Sequence, residues 1–442
     1  MPHPIVCQDE RLRQYLQSFQ ALFSYPQYKH FVTVLMALLL SLEGYTLSHL
    51  KHTISGIKSL SSLSRFLSIS PWNHQFVIQY NYTRFCRMIQ PMIRQECQIM
   101  LAKQKKKRGK RSTPLVTGYL IGDDSTMLKA KGMKMQGLGK HYSTTDGKPV
   151  TGHSLVQCLY TVLGRSCPLE PLLYQQKKTA EKEEIPFISK IDLMVQQIQN
   201  FTPPSGTMTH ILLDSWYSAK KIWKAARDRG FHITTGIRSN RSLRIPSDND
   251  PKEWKWQKLS DYVASLPKSS YQWCSKPRNP EQKVWVHIID TRIRKLYRCK
   301  LIIVRQDLED PIGFARYWAS SDLTADVQTL LTHISTRWEI EVFFGDTKQL
   351  LGIDQYQLMT TTALLRYWAL CWIAFSFLEE IRYELKHQKE TENQEEHTCQ
   401  PATLGQARKE VQKTHQKLFL EWIYQQAFSG VPVNEIITFL VA

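Results

Sequence analysis

The segment from Thr209 to Ile237 constrains the fold most, because it combines a strand, a helix and a second strand in immediate succession. The apolar run His210–Leu213 ends at Asp214, an amphipathic stretch follows, and FHITTGI (231–237) is again strand-like. Three strands and a helix are predicted upstream, at residues 115–125, 150–163, 168–174 and 186–200. This β-β-β-α-β-α-β order predicts a mixed sheet with helices on its faces, an α/β fold.

The regions before and after this predicted sheet have different patterns of predicted secondary structure. Residues 1–100 predict helices, and within 46–72 two short helices joined near Gly56 fit either a DNA-binding helix-turn-helix or an ordinary helical hairpin. Short strand-like pieces with several Trp residues predict an independent β-rich insertion at 238–310. A long helix is expected from Ala325 to about Leu351. The remaining predictions are an apolar helix at 361–385, a polar loop at 386–400 and one or two closing helices at 402–442.

Two apolar segments bear on the question of a membrane. Phe31–Leu42 and Leu364–Leu378 are both shorter than the roughly 20 apolar residues that span a bilayer, and the second contains Arg366. We therefore expect two buried core helices and no membrane partner. The first residues lack the pattern of a secretory signal peptide.

Charge and cysteine content narrow the class of protein. Lys and Arg number 58 against 39 acidic residues, which gives a net charge of +19 and indicates a polyanionic partner. Nine Cys without a CxxC pair disfavour both a disulfide framework and a structural zinc site. The basic run 103–111, with Lys106, Lys107 and Arg108 at its centre, predicts a linker that contacts DNA phosphates.

Three acids lie where α/β enzymes place catalytic groups, at the carboxyl ends of predicted strands or on the helix that follows. Asp123 and Asp124 follow the first strand, Asp214 follows His210–Leu213, and Glu341 lies on the long helix. Carboxylates are the ligands that Mg²⁺ prefers, and two such ions support in-line phosphoryl displacement. A single Asp after a strand is also a common N-cap, and Asp214 fits that role too.

The stretch RWEIEVFFGDTK (337–348) adds a more specific signal. Arg337, Glu341 and Lys348 are spaced so that they share one helix face, which places a cation on each side of a carboxylate. Such a face can hold metal ions and phosphates together.

With this motif the sequence resembles DDE-type insertion-sequence transposases, over roughly residues 40–370. It is most similar to the branch whose RNase H-like core is interrupted by a β-rich insertion before the final acid, which fits the long interval between Asp214 and Glu341. The resemblance implies that Asp124, Asp214 and Glu341 bind two Mg²⁺ ions, with Mn²⁺ as substitute, and that Arg337 and Lys348 contact DNA phosphates.

Two details of the resemblance leave alternatives open. Alternation along a strand points Asp123 and Asp124 to opposite faces; Asp124 is preferred because Ser125 and Thr126 follow it, with Asp123 as the alternative first ligand. The Tyr that the family usually has before the Arg is Ile334 here, which affects a DNA contact rather than the metal ligands.

Further DNA contacts are expected outside the acids. Relatives that cut through a hairpin intermediate stack a Trp of the insertion on a flipped base, and Trp273 and Trp285 are candidates for that role or for a small β-core. Lys129 and Lys131 follow the first acid on a predicted loop and either contact the DNA backbone or are simply solvated. His153 is interpreted as a packed core residue.

These features predict a cut-and-paste transposase. It is expected to bind the terminal inverted repeats of an insertion sequence, cleave at the ends, and join the 3′-OH to target DNA as a homodimer in the synaptic complex. The alternatives are a catalytically silent, transposase-derived DNA-binding protein and a metal-dependent nuclease without strand transfer. The expected location is the cytoplasm, with the prokaryotic nucleoid.

The predicted domains follow from the same patterns. They are a helical DNA-binding region (1–103), a basic linker (104–112) and the first part of the RNase H-like core (113–237). The β-rich insertion (238–310), the second part of the core (311–385) and a C-terminal region (386–442) follow.

Overall fold

The computed structural model describes most of the chain, at residues 8–42, 44–54, 59–103, 113–130, 132, 134–143, 147–247, 253–392 and 402–441. The predicted linker, with Lys106, Lys107 and Arg108, lies outside the described residues, and so does Lys131.

In the part of the chain that the structure describes, five helices precede the sheet: α1 Glu10–Ser18, α2 Tyr25–Leu40, α3 Leu47–Thr53, α4 Leu60–Ser68 and α5 His74–Lys103. Their starts carry the expected N-caps, since the side chains of Asp9, Thr46 and Ser59 each accept a backbone N–H of the first turn. The two short helices predicted within 46–72 are present as α3 and α4. The residues that join them, Gly56 included, fall outside the described part.

Within the described residues the sheet has thirteen strands: β1 Val116–Leu128, β2 Gly139–Ser143, β3 Lys148–Val162, β4 Arg165–Pro168, β5 Leu172–Tyr174, β6 Thr207–Leu213, β7 His232–Gly236, β8 Ser242–Pro246, β9 Trp254–Lys258, β10 Gln272–Lys276, β11 Asn279–Ile293, β12 Arg298–Arg305 and β13 Arg316–Ser320. β1 pairs antiparallel with β3 and parallel with β6, and β6 pairs parallel with β7. This is the mixed, RNase H-like α/β core that the sequence predicts.

Helices flank this sheet and follow it in the chain. They are α6 Lys177–Lys182, α7 Lys190–Asn200, α8 Lys220–Asp228, α9 Leu259–Ser265, α10 Val327–Thr336, α11 Glu339–Leu351, α12 Thr361–Glu392, α13 Leu404–Phe428 and α14 Val433–Val441.

The β-rich region is not an independent unit. β12 pairs with β13, and β13 pairs with β7 of the core, so the strands of the insertion extend one continuous sheet. The sequence pattern showed the strands but not their partners, because strand pairing is decided by distant segments.

Two helical predictions need correction. The long helix expected from Ala325 to Leu351 is two helices, α10 and α11, which meet at Arg337 and Trp338. The predicted polar loop at 386–400 begins too early, because α12 continues to Glu392. Helix α13 and helix α14 agree with the prediction of one or two closing helices.

Both apolar segments form core helices. Residues 31–40 of α2 are buried throughout, and they share one core with α4, α11 and α12. Among the described residues one helix, Thr361–Gln388, is long and apolar enough to cross a membrane by composition, yet 83% of its most apolar window is buried inside the protein. Its Arg366 donates from Nη1 and Nη2 to the backbone carbonyls of Leu67 and Trp72, which partly offsets the cost of burying this charge. The N-terminal helices are therefore folded onto the C-terminal part of the chain.

His153 provides a test of this packing through pH. Its buried ring donates from Nε2 to the carbonyl of Gln136 at 2.7 Å and accepts at Nδ1 from the Tyr356 hydroxyl at 2.8 Å. Burial lowers the pKa of His153 to about 4. As the pH falls, His153 is protonated in the unfolded chain, at about pH 6.5, before it is protonated in the folded protein. The stabilisation of the fold by neutral His153 is therefore complete above about pH 6.5 and is lost as the pH drops towards 4.

We expect His153→Gln to flatten the pH dependence of the free energy of unfolding between pH 6.5 and 4. The slope should fall by about 1.4 kcal/mol per pH unit, the value for one proton. Urea unfolding of the wild-type protein and of the His153→Gln variant at several pH values measures this slope. If the free energy of unfolding varied with pH identically in the two proteins, this account of His153 would be contradicted.

Candidate active site

The first acids lie inside β1, which continues to Leu128 instead of ending before them. Gly122 of β1 pairs with Leu213, the last residue of the parallel strand β6. Asp123 and Asp214 therefore follow paired positions on neighbouring strands, whose spacing is about 4.8 Å. The register thus brings together two of the acids that were distant in sequence.

Asp123 and Asp124 point to opposite faces of the sheet, as strand alternation requires. The Asp123 face also carries Ile121 and Met127, which belong to the core shared with α11 and α12. The Asp124 face carries Leu120, which belongs to the core shared with α7 and α8. Since Glu341 lies on α11, the geometry favours Asp123 as its neighbour.

One guanidinium joins this face to the third acid. Arg337 Nη1 lies 3.7 Å from Asp123 Oδ2, and Arg337 Nη2 donates to Glu341 Oε1. Lys348 Nζ donates to Ser125 Oγ at 2.9 Å, on the same face of β1. Arg337, Glu341 and Lys348 therefore share one side as predicted, although the helix is interrupted at Arg337.

Asp214 has two roles in the geometry. Its Oδ1 accepts the N–H of Trp216 and caps a short 3₁₀ turn, Ser215–Tyr217, which is the structural role expected of such an Asp. It also lies close enough to Asp123 for its charge to act on that carboxyl.

The electrostatics of the acids suit a cation. Burial and the negative charges of Asp124 and Asp214 together raise the pKa of Asp123 to about 7, against the lowering effects of the Asp124 backbone N–H and of Arg337. Buried carboxylates that repel one another in this way become ionised when a divalent cation neutralises them. An oxygen-only set from Asp123, Asp214 and Glu341 fits Mg²⁺ or Mn²⁺.

Asp124, which the sequence analysis preferred, has partners of its own on the other face. Lys190 Nζ lies 2.5 Å from its Oδ2, and the Tyr217 hydroxyl donates to its Oδ1 at 2.8 Å. The sequence-based preference for Asp124 over Asp123 rested on the Ser and Thr that follow it. The direction of the Asp124 side chain is set instead by the pleat of β1 and by its contacts with Lys190 and Tyr217. Neither Lys190 nor Tyr217 was identified from the sequence.

Lys129 is placed differently from the expectation of a DNA contact. It is 9% exposed, and its ammonium donates to the backbone carbonyls of Asp354 and Tyr356. It also lies 3.7 Å from the centroid of the Tyr356 ring. We therefore propose a structural role for Lys129, joining the end of β1 to the segment after α11.

The two candidate Trp residues lie side by side across the β10–β11 pair. Trp273 and Trp285 face each other in the register, with ring centroids 4.5 Å apart. Trp273 is 50% exposed and Trp285 is half-buried. The pair thus offers one accessible aromatic surface, and its use on a base stays a prediction.

A basic cavity that the sequence analysis missed lies beside Asp214. It has a volume of about 860 Å³ and contains the exposed Trp216, whose ring lies 5.5 Å from the Arg238 guanidinium. Its basic lining residues are Lys220, Arg238, Arg241, Arg294 and Lys295. They are contributed by both the core and the inserted strands, so spacing along the chain gave no signal.

A second cavity, of about 480 Å³, reaches the acids directly, since Asp214 and Arg337 both line it together with Trp318. The Arg337 guanidinium lies 5.9 Å from the Trp318 ring. The cavity thus opens onto Asp214 and onto Arg337, the cation that contacts Asp123 and Glu341.

Comparison with known families agrees with this arrangement. A family model described as DDE superfamily endonuclease matches residues 18–273, and one described as transposase DDE domain matches residues 172–377. Together the matches include both Asp positions of the sheet as well as Arg337, Glu341 and Lys348. A search of curated proteins found no significant match. The first match covers more than half of the chain, and we conclude that this protein belongs to the DDE endonuclease superfamily, as a DDE-type transposase.

Proposed function

We propose that this transposase binds the terminal inverted repeats of an insertion sequence, hydrolyses a phosphodiester at each end and joins the freed 3′-OH to target DNA. The observation that carries the proposal is the single Arg337 guanidinium that links Asp123 to Glu341, next to Asp214 at the end of β6. This link supports a shared site for the three carboxylates, and the cavity lined by Asp214 and Arg337 is the proposed entrance for the scissile phosphate.

Asp123, Asp214 and Glu341 are the proposed metal ligands. When bound, two divalent ions supply an activated water or 3′-hydroxyl and stabilise the leaving oxygen. The carboxylates orient the reacting centre, and the buried faces of β1 and α11 hold them in position. Asp124 supports this site from the opposite face through Lys190 and Tyr217.

Arg337 and Lys348 are the proposed phosphate contacts next to the cut. In the DNA-free protein, Arg337 pairs with the carboxylates. Its planar guanidinium suits bidentate contact with a phosphate, and it would be available for that contact when the carboxylates hold metal ions instead. The Lys348 ammonium donates to Ser125, which lies two residues after Asp123 on the same face of β1.

The basic cavity beside Asp214 is the proposed path of the DNA backbone. Its lysines and arginines supply phosphate contacts, and the exposed Trp216 supplies a stacking surface at the point where the strand reaches the acids. The helices α3 and α4 are proposed to read the terminal repeats, and a homodimer is proposed to hold two ends together. We place the protein in the cytoplasm, at the nucleoid.

The test is an end-joining assay with a duplex that carries one terminal repeat, a supercoiled plasmid and either Mg²⁺ or Mn²⁺. We expect divalent-dependent nicking at the repeat end and joining of a pre-cleaved 3′-OH end to the plasmid. Binding without nicking in either metal would favour a catalytically silent DNA-binding protein. Nicking without joining would favour a nuclease that lacks strand transfer.

Binding to duplex DNA should weaken steeply with salt, since the net charge of +19 and the basic cavity imply release of many counterions. For six or more phosphate contacts, we expect the association constant to fall about 10³-fold or more between 50 and 200 mM salt. Fluorescence anisotropy with a labelled duplex measures this slope. A nearly flat response would contradict the proposed DNA path.

A further inference from the structure

A second group of metal-ligand side chains lies beneath the acids. His210 on β6, Asp322 after β13 and His333 on α10 each offer one ligand atom, and these atoms lie within 4.8 Å of one another. His210 precedes Asp214 on the same strand, and His333 precedes Arg337 on the same helix. Two members of the group therefore lie on β6 and α10, the elements that lead to Asp214 and Arg337. None of the three is a proposed catalytic ligand.

His333 is the unusual member of this group. Its ring is 3% exposed, and within the described part of the chain neither ring nitrogen has a hydrogen-bond partner. Leaving a buried polar group unpaired costs roughly 1–3 kcal/mol, so such groups call for a missing partner. Its ring lies against that of His210, with centroids 3.8 Å apart, and burial lowers the pKa of His333 to about 4. A neutral imidazole with free nitrogens is the form that binds a metal ion.

The hydrogen bonds of His210 leave one of its nitrogens ready to coordinate. His210 Nε2 lies 2.8 Å from Thr234 Oγ1, and the Thr234 hydroxyl donates to Ser320 Oγ at 2.9 Å. Since Thr234 uses its hydrogen on Ser320, it accepts from His210, whose proton is then on Nε2. The lone pair lies on Nδ1, the arrangement by which a metal-bound His is usually oriented through its other nitrogen.

Asp322 is oriented in a similar way. Its Oδ1 accepts from the N–H and hydroxyl of Thr324, at 2.9 and 2.7 Å, and from the N–H of Ala325 at 3.1 Å. These contacts fix the carboxylate and lower the pKa of Asp322. All three go to Oδ1, so among the described residues Oδ2 is the oxygen that can face an ion. The negative charge of Asp322 also acts on His333.

We propose that His210, Asp322 and His333 form a binding site for a divalent transition metal such as Zn²⁺. Two imidazoles and one carboxylate are the donors that Zn²⁺ and its neighbours accept, whereas Mg²⁺ prefers oxygen ligands alone. A water or His232, whose ring centroid lies 5.8 Å from that of His210, completes the coordination. Bond lengths of about 2.0–2.2 Å require the side chains to close by roughly 1 Å.

The site ties together β6, which leads to Asp214, α10, which ends at Arg337, and the end of β13. Because β6, the end of β13 and α10 each contribute one ligand, a bound ion fixes the start of α11 relative to β6. The role is positioning, and it does not depend on the DNA substrate proposed above. The sequence analysis disfavoured a zinc site from the cysteine spacing; these ligands are His and Asp residues far apart in the chain.

Metal analysis of the full-length protein tests the proposal. Protein dialysed with Zn²⁺ in excess Mg²⁺ should retain about one zinc per chain by mass spectrometry. With Co²⁺ instead, it should show the intense visible absorption of a four- or five-coordinate site. Asp322→Asn, which keeps the Oδ1 hydrogen bonds, and His333→Gln each remove a direct ligand and should weaken binding by more than about 100-fold, beyond the loss typical of groups that only orient ligands.

Two controls locate the site. His153→Gln, the same change at another buried histidine, should retain the metal, and so should the double variant Asp123→Asn/Glu341→Gln. If that double variant lost the zinc, the ion would belong to the acids. Wild-type protein without bound zinc or cobalt would also overturn the proposal, as would Asp322→Asn with unchanged affinity.

Discussion

Asp123→Asn should reduce nicking of a terminal-repeat duplex by more than about 100-fold, whereas Asp124→Asn should retain activity within about tenfold. Removing a direct metal ligand costs more than the 10–100-fold typical of groups that only orient ligands. Asp123 shares its face with Arg337 and lies beside Asp214, while Asp124 pairs with Lys190 and Tyr217. Single-turnover cleavage rates in Mg²⁺ measure both effects.

The matched Asn substitutions also control for folding and binding. Each removes one negative charge without changing the size of the side chain, and neither is expected to alter DNA affinity more than a few-fold. Asp214→Asn should lose cleavage as Asp123→Asn does. A loss of cleavage in Asp124→Asn with an active Asp123→Asn would assign the metal site to Asp124 instead.

The second large effect concerns the end of α11. Gly352 caps this helix with φ +57°, and a Cβ there would lie 2.2 Å from ring atoms of Tyr45. Tyr45 is itself fixed by its hydroxyl, which donates to the carbonyl of Leu350 at 2.6 Å. We expect Gly352→Ala to lower the free energy of unfolding by about 2–5 kcal/mol, from left-handed strain and overpacking together. Urea unfolding measures the loss.

Gly345→Ala on the same helix is the control for this effect. Nothing lies within 4 Å of a Cβ at Gly345, and Ala is the better helix former. It should raise the free energy of unfolding by about 0.5–1 kcal/mol. If Gly352→Ala unfolded at the wild-type urea concentration, the close packing of α11 against Tyr45 would be contradicted.

This contact matters because it joins two distant parts of the chain. Tyr45 lies between α2 and α3, and the Tyr367 hydroxyl on α12 donates to the carbonyls of both Tyr45 and Gly352, at 3.2 and 3.1 Å. The N-terminal helices thereby support the helix that carries Glu341 and Lys348. The DNA binding proposed for the N-terminal helices would therefore act on an element that contacts α11 directly.

Elements of the fold with local patterns were predictable. The strand at His210–Leu213, the short helices α3 and α4, and the apolar helix that starts at Thr361 all agree with their hydrophobic spacing. The break at Arg337 and Trp338 was not predicted, because the apolar period continues across it. The extent of β1 beyond Asp123 and Asp124 was also missed, since it depends on pairing with β3.

The sequence by itself determined the order of most elements, the candidate acids and the family, because periodicity and motif spacing are properties of neighbouring residues. Only the tertiary structure decided which Asp faces Glu341, why Lys129 is enclosed and how His210, Asp322 and His333 meet. Those outcomes depend on strand register and on the face to which each side chain points. Both are set by contacts between segments far apart in the chain, which no local pattern records.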